Sequence, residues 1–102
     1  MKKLYVIIRK DLKCSIPAVQ AGHVVAEFCL QNPEGAKDWN NEYLIYLQVK
    51  SLRKLNKWMT KLDNLNIPYS VFREPDLNDE PTAIATYFNE DTTVFRDLRL
   101  FK

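Results

Sequence analysis

The chain has little cysteine, a single histidine and no long apolar run. Two cysteines, Cys14 and Cys29, in 102 residues are too few for a disulfide framework and lack zinc-ligand spacing. They fit a reducing compartment, with Cys29 as a small core residue. The apolar run Leu4 to Ile8 covers five residues before Arg9-Lys10, too short for a signal sequence, and no stretch approaches the length of a membrane span. A cytoplasmic protein with no membrane attachment is expected. Repeats, linkers and low-complexity segments are missing too, so the reading is a single domain over residues 1–102. A hydrophobic content of 46% is enough for one core without staples.

What is present alternates between strand and helix patterns. Leu4-Tyr5-Val6-Ile7-Ile8 is apolar, aromatic and β-branched without polar alternation, which suits a strand covered on both faces of a sheet. A charged turn, Arg9 to Lys13, follows. Ser15 is placed to cap a helix over Ile16 to Gln31, with Pro17 in its first turn, where a missing N–H costs nothing. Asn32-Pro33-Glu34-Gly35 breaks that helix, and the polar stretch to Asn41 around Trp39 reads as loop. Tyr43 to Val49 reads as a second strand, and Ser51 caps a second helix reaching about Asn66. Ile67 to Phe72 and Thr82 to Phe88 read as further strands, with Asp91 to Leu98 as a short helix or irregular tail. The expected architecture is α/β: a mixed four-stranded sheet flanked by helices on both faces, with sites at strand ends and in the loops beyond them.

Three constellations carry candidate chemistry. Gln20, His23, Glu27 and Gln31 recur at intervals of three and four and form one polar stripe on an otherwise apolar helix. The stripe is either the solvent face or a site, and the position of Gln20 and His23 near the helix N-terminus favours a polar substrate group there. On the second helix Arg53, Lys57 and Lys61 recur at four-residue spacing, flanked by Lys50 and Lys54. This basic ridge is either a solvated face or a contact for nucleic-acid phosphates. Trp58 is expected in the core. The third constellation is the loop Glu74 to Pro81, whose four carboxylates (Glu74, Asp76, Asp79, Glu80) lack the calcium-loop pattern, so no metal is expected. Two prolines stiffen this loop, which suits it to fix Glu74 or Asp76 as a base. The charge is polarised along the chain. Six basic residues against one acid between Tyr43 and Arg73 give way to six acids and no base between Glu74 and Phe95, so a phosphate-rich partner can meet a basic face while the acidic loop serves another task.

The stretch Tyr5-Val6-Ile7-Ile8-Arg9-Lys10-Asp11-Leu12-Lys13, followed by Gln20-Ala21-Gly22-His23, resembles the opening of the type II peptidyl-tRNA hydrolases. In that family an apolar strand leads to an Arg-x-Asp-Leu-Lys motif and a helix bearing Gln-x-x-His. Leu44 to Val49 with Ser51, Tyr69 to Arg73, and Pro81-Thr82-Ala83-Ile84 resemble its later strands, so the likeness covers residues 3 to about 90. Arg-Glu-Pro-Asp stands where the family usually has Arg-Asp-Ala-Gly, in the manner of a short, divergent bacterial or phage-encoded branch.

The resemblance implies hydrolysis of the ester joining a peptide to the 3′ ribose of tRNA, with no metal or organic cofactor. It places Asp11, Lys13, Gln20 and His23 on motif positions, Glu74 at the family's loop aspartate, and Thr82 at the threonine opening the last core strand. Glu74, helped by Asp76, would orient water, and Lys13 with Thr82 would contact substrate or oxyanion. Asp11, Gln20, His23, Arg73 and Asn78 would bind substrate, and Arg53, Lys57 and Lys61 would bind tRNA. A homodimer is a further expectation, from related enzymes and the apolar tail residues Phe95, Leu98, Leu100 and Phe101. The family's Gly-Lys turn is replaced here by Cys14-Ser15-Ile16-Pro17, two residues shorter and without lysine, which leaves Lys13 as the nearest cation. The alternative reading is a non-catalytic module that keeps the fold to bind RNA or protein.

Overall fold

In the computed structural model, which describes residues 2–13, 16–91 and 93–102, the unalternating strand is β1, Lys3–Arg9. Its lack of alternation has a direct cause. Leu4, Val6 and Ile8 point into one core and Tyr5 and Ile7 into another, so both faces of the strand are covered. It runs parallel to β2, Tyr43–Val49, and antiparallel to β4, Glu80–Tyr87. β3, Ser70–Glu74, pairs antiparallel with β4 to give the order β3-β4-β1-β2. A fifth strand, β5, Arg99–Leu100, extends the edge beyond β2. The sequence expectation of four strands is therefore one short, because a two-residue strand carries no periodicity to read.

Parallel neighbours need crossovers, and the helices supply them. α1, Ile16–Gln31, and α2, Pro33–Trp39, join β1 to β2 and pack on the Leu4–Val6–Ile8 face through Ala21, Val24, Phe28 and Trp39. α3, Leu52–Asn64, joins β2 to β3 across the other face, burying Leu55 and Leu62 against Tyr5, Ile7 and Ile84. Ser51 caps α3 as expected, accepting from the Lys54 amide at 3.2 Å. Ser15, the expected cap of α1, and its neighbour Cys14 lie outside the described residues.

The loop expected over residues 32–41 is instead largely α2. Its Pro33 is a helix opener rather than a breaker, Glu34 and Lys37 complement the helix dipole, and Asn40 ends it in the left-handed conformation at φ 52°. Burial of Trp39, which meets Phe28 edge-on and donates to the Tyr43 carbonyl at 2.9 Å, holds the short helix down. β3 begins at Ser70 rather than Ile67, since Asn66 is left-handed at φ 57° and Pro68 has no amide to give a ladder. Trp58 is partly buried against the second core, 5.6 Å from Phe95 between ring centres. No helix among the described residues is long and apolar enough to cross a membrane.

Candidate active site

The carboxyl end of β1, the start of β4 and the end of β3 meet under the first turns of α1. Regular alternation would not bring a β4 residue next to Ala83 onto the face of Ala83. Between Phe72 and Arg73, however, the β3–β4 register slips by one, pairing Phe72 with Ala83 and Arg73 with Pro81, so that Thr82 has no partner of its own. Such a bulge re-aims the extra side chain, and Thr82 joins Ala83 in facing α1. Its hydroxyl, fully buried, donates to Gln20 Oε1 at 2.7 Å. Gln20 Nε2 in turn donates to Glu74 Oε1 at 3.0 Å. The result is a directed relay, Thr82 to Gln20 to Glu74, ending on a half-buried carboxylate.

The turn after β1 is organised by Arg9, whose side chain is 7% exposed. It forks onto Asp11, with Nε to Oδ1 at 3.0 Å and one terminal nitrogen to Oδ2 at 2.8 Å. The other terminal nitrogen reaches Glu80 at 2.8 Å and the Pro81 carbonyl at 3.2 Å. The bond to Asp11, followed by that to Glu80, holds the guanidinium pKa above its ordinary value against the opposing pull of burial. The same bond from Arg9 holds the Asp11 carboxyl below the usual carboxylate range. Arg9 thus ties the charged turn to the residues beside Thr82.

Of the residues expected to act, Gln20, Glu74 and Thr82 are joined directly, and Asp11 is joined to them through Arg9 and Pro81. Gln20 and His23 do not share a single solvent stripe. Gln20 is 1% exposed and points at the sheet, whereas His23 is exposed and lies flat on Phe72, ring centres 4.4 Å apart and planes within 8°. Lys13 is exposed at the end of the turn, its carbonyl accepting from the Ile16 amide at 3.2 Å, and its ammonium makes no ion pair among the described residues. Asp76 is exposed in the 3-10 turn Pro75–Leu77. Arg73 reaches across the hairpin to the Asp79 carbonyl at 3.4 Å, and Asn78 supplies a left-handed turn residue at φ 54°. Arg53, Lys57 and Lys61 sit on α3, across the sheet from the relay. Arg53 and Lys57 flank a shallow cleft, and Lys61 Nζ lies 4.4 Å over the Trp58 ring.

Sequence reasoning misses Arg9 and Glu80 as organisers of the site, because partners 71 positions apart leave no local pattern. A charged residue closing an apolar strand, and its place at the head of the Arg-x-Asp-Leu-Lys stretch, are the signals available for Arg9. Lys50, Lys54 and Arg99 of β5 line a cleft of about 350 Å³ together with Trp58, Leu98 and one acid, Asp97. This extends the basic surface in a way that only the fifth strand makes visible. A cavity of about 500 Å³ between Phe28, Asn32, Tyr69 and Tyr87 lies at the other end of the sheet and contains none of the relay.

Fold and site together define a single-domain α/β protein in which a buried amide relay presents a carboxylate beside a charged turn. The family model described as peptidyl-tRNA hydrolase PTH2 matches residues 2–96, and the chain belongs to that family. Membership points to peptidyl-tRNA hydrolysis, a carboxylic ester hydrolase activity, with peptidyl-tRNA as the substrate. No curated protein matches the chain.

Proposed function

We propose that the relay is the working centre of this hydrolase and that Glu74 is its base. Glu74 Oε1 is engaged by Gln20, and Oε2 has no hydrogen-bond partner among the described residues, so it is the atom that takes the proton of an attacking water. The water oxygen adds to the ester carbonyl carbon, the carbonyl electrons move onto oxygen, and collapse of this tetrahedral species expels the 3′ ribose oxygen, which takes back from Glu74 the proton that the water gave up. The Lys13 ammonium is the cation assigned to the developing oxyanion. Asp76, beside Glu74 on the 3-10 turn, assists in orienting water from the solvent side.

Thr82 acts through Gln20 and not on the substrate, since its one hydroxyl proton is committed at 2.7 Å and its side chain is buried. It is a positioning residue. Asp11, Gln20, His23, Arg73 and Asn78 frame the substrate, and Arg53, Lys57 and Lys61, with Lys50, Lys54 and Arg99, receive tRNA phosphates. We further propose a short, divergent bacterial or phage-type branch, on the sequence Arg73-Glu74-Pro75-Asp76 in place of the family's Arg-Asp-Ala-Gly. We assign it to the cytoplasm as a translation protein, with a homodimer as its assembly.

The single observation that carries the catalytic assignment is the Gln20–Glu74 hydrogen bond, which aims a carboxylate without neutralising it. Its test is release of the acyl group from N-acetylaminoacyl-tRNA by the wild-type protein and by Glu74→Gln. Retention of wild-type turnover in the variant would exclude Glu74 as the base.

A further inference from the structure

Hydrolysis at a 3′ ribose brings a nucleobase to the site, because the base is attached to the same sugar that carries the ester. A flat aromatic surface beside Glu74 would receive it by stacking. Phe72 lies two residues before Glu74 on β3, and His23 lies three residues after Gln20, the donor to Glu74. Their rings are stacked at 4.4 Å and nearly parallel, Phe72 half-buried beneath and His23 exposed above. The inner face of the imidazole is covered by the phenyl ring and its outer face is left to solvent. Among the described residues His23 makes no hydrogen bond and no ion pair, so stacking on Phe72 is what fixes the plane of the ring. On the same helix face, four and seven residues earlier, Val19 and Ile16 are 52% and 41% exposed and form an apolar rim.

We infer that the His23–Phe72 pair is a stacking platform for the terminal nucleobase of the tRNA, making His23 a binding residue that works through its ring face and not as an acid or base. This rests on the hydrolase reading above. Base–aromatic stacking tolerates any base because every base has a π-face, and removing one such stack weakens binding by about tenfold or more. Ring character, and not titration, is then what position 23 requires.

The test uses N-acetylaminoacyl-tRNA for kinetics, and tRNA ending in the fluorescent base 2-aminopurine for binding, since stacking quenches that base. His23→Ala should raise KM about tenfold with kcat changed far less, and should abolish the quenching seen with the wild-type protein. His23→Phe should recover most of both losses, which a proton-carrying role would forbid. Phe72→Leu, which removes the support while leaving His23 in place, should give a partial loss of quenching. Unchanged KM and quenching in His23→Ala would overturn the platform, and so would a fall in kcat that His23→Phe fails to rescue. A rise in KM that appears only with bulky acyl groups, quenching being intact, would assign the surface to the acyl side chain and also overturn it. Absence of both turnover and tRNA binding in the wild-type protein would instead sink the hydrolase reading itself.

Discussion

The orientation of the Gln20 carboxamide is decided by its two partners. An ionised Glu74 can only accept and the Thr82 hydroxyl has one proton to give, so only Nε2 toward Glu74 and Oε1 toward Thr82 makes both contacts hydrogen bonds. Thr82→Val would leave Gln20 Oε1 buried without a donor, at a cost of about 1–3 kcal/mol, and would free the carboxamide to turn away from Glu74. Resistance to chemical denaturant and turnover should both fall in Thr82→Val and be largely retained in Thr82→Ser. Asp11 offers a second check. Its folded-state pKa is held below the ordinary carboxylate value by Arg9, so its contribution to stability is complete above about pH 4. The contribution is lost as pH falls through the lowered value. Asp11→Asn should therefore flatten the acid limb of a stability–pH profile measured by thermal melts, while an unaltered acid limb would show that the fork is energetically idle. Residues of the charged turn and of the Gln-x-x-His helix are legible in the sequence as site candidates. What hides the division between Gln20 and His23 is helical spacing alone, which places both on one side of α1 and says nothing of which edge meets the sheet.

Elements with strong local signals are legible in the sequence: β1, β2 and α3 follow from unalternating or aromatic apolar runs and from Ser51. The bulge at Thr82 is not, because it is a property of β4 against β3 and not of either segment. α2 is hidden by Pro33 and Gly35, whose breaker signals are outweighed by burial of Trp39. β5 depends on pairing with Leu47 and Gln48. At this scale the cap of α3 is the simplest test, since Ser51 satisfies one free amide of a helix whose exposed face is strongly basic. Ser51→Ala should cost about 1 kcal/mol in urea unfolding, with no change in the acyl-transfer step to water.

For the whole molecule, cations are spread over the α3 side and the end of β2, while Glu74, the proposed base, is held from the α1 side by Gln20. On the proposed assignment the tRNA lies across the carboxyl ends of β1 and β2, which Lys13 and Lys50 follow in the chain. Charge reversal at Arg53, Lys57 and Lys61 should therefore raise KM and reduce the salt dependence of tRNA binding by about one unit of log–log slope for each phosphate that is no longer neutralised. Single-turnover chemistry at saturation should be untouched. An unchanged salt slope would assign the tRNA path to another surface. The most direct measurement is the single-turnover rate of acyl release from N-acetylaminoacyl-tRNA by wild-type protein and Glu74→Gln, with matched tRNA binding and melting temperature. The carboxylate-centred account predicts a fall of about a hundredfold or more in the variant, and a variant as fast as the wild type would contradict it.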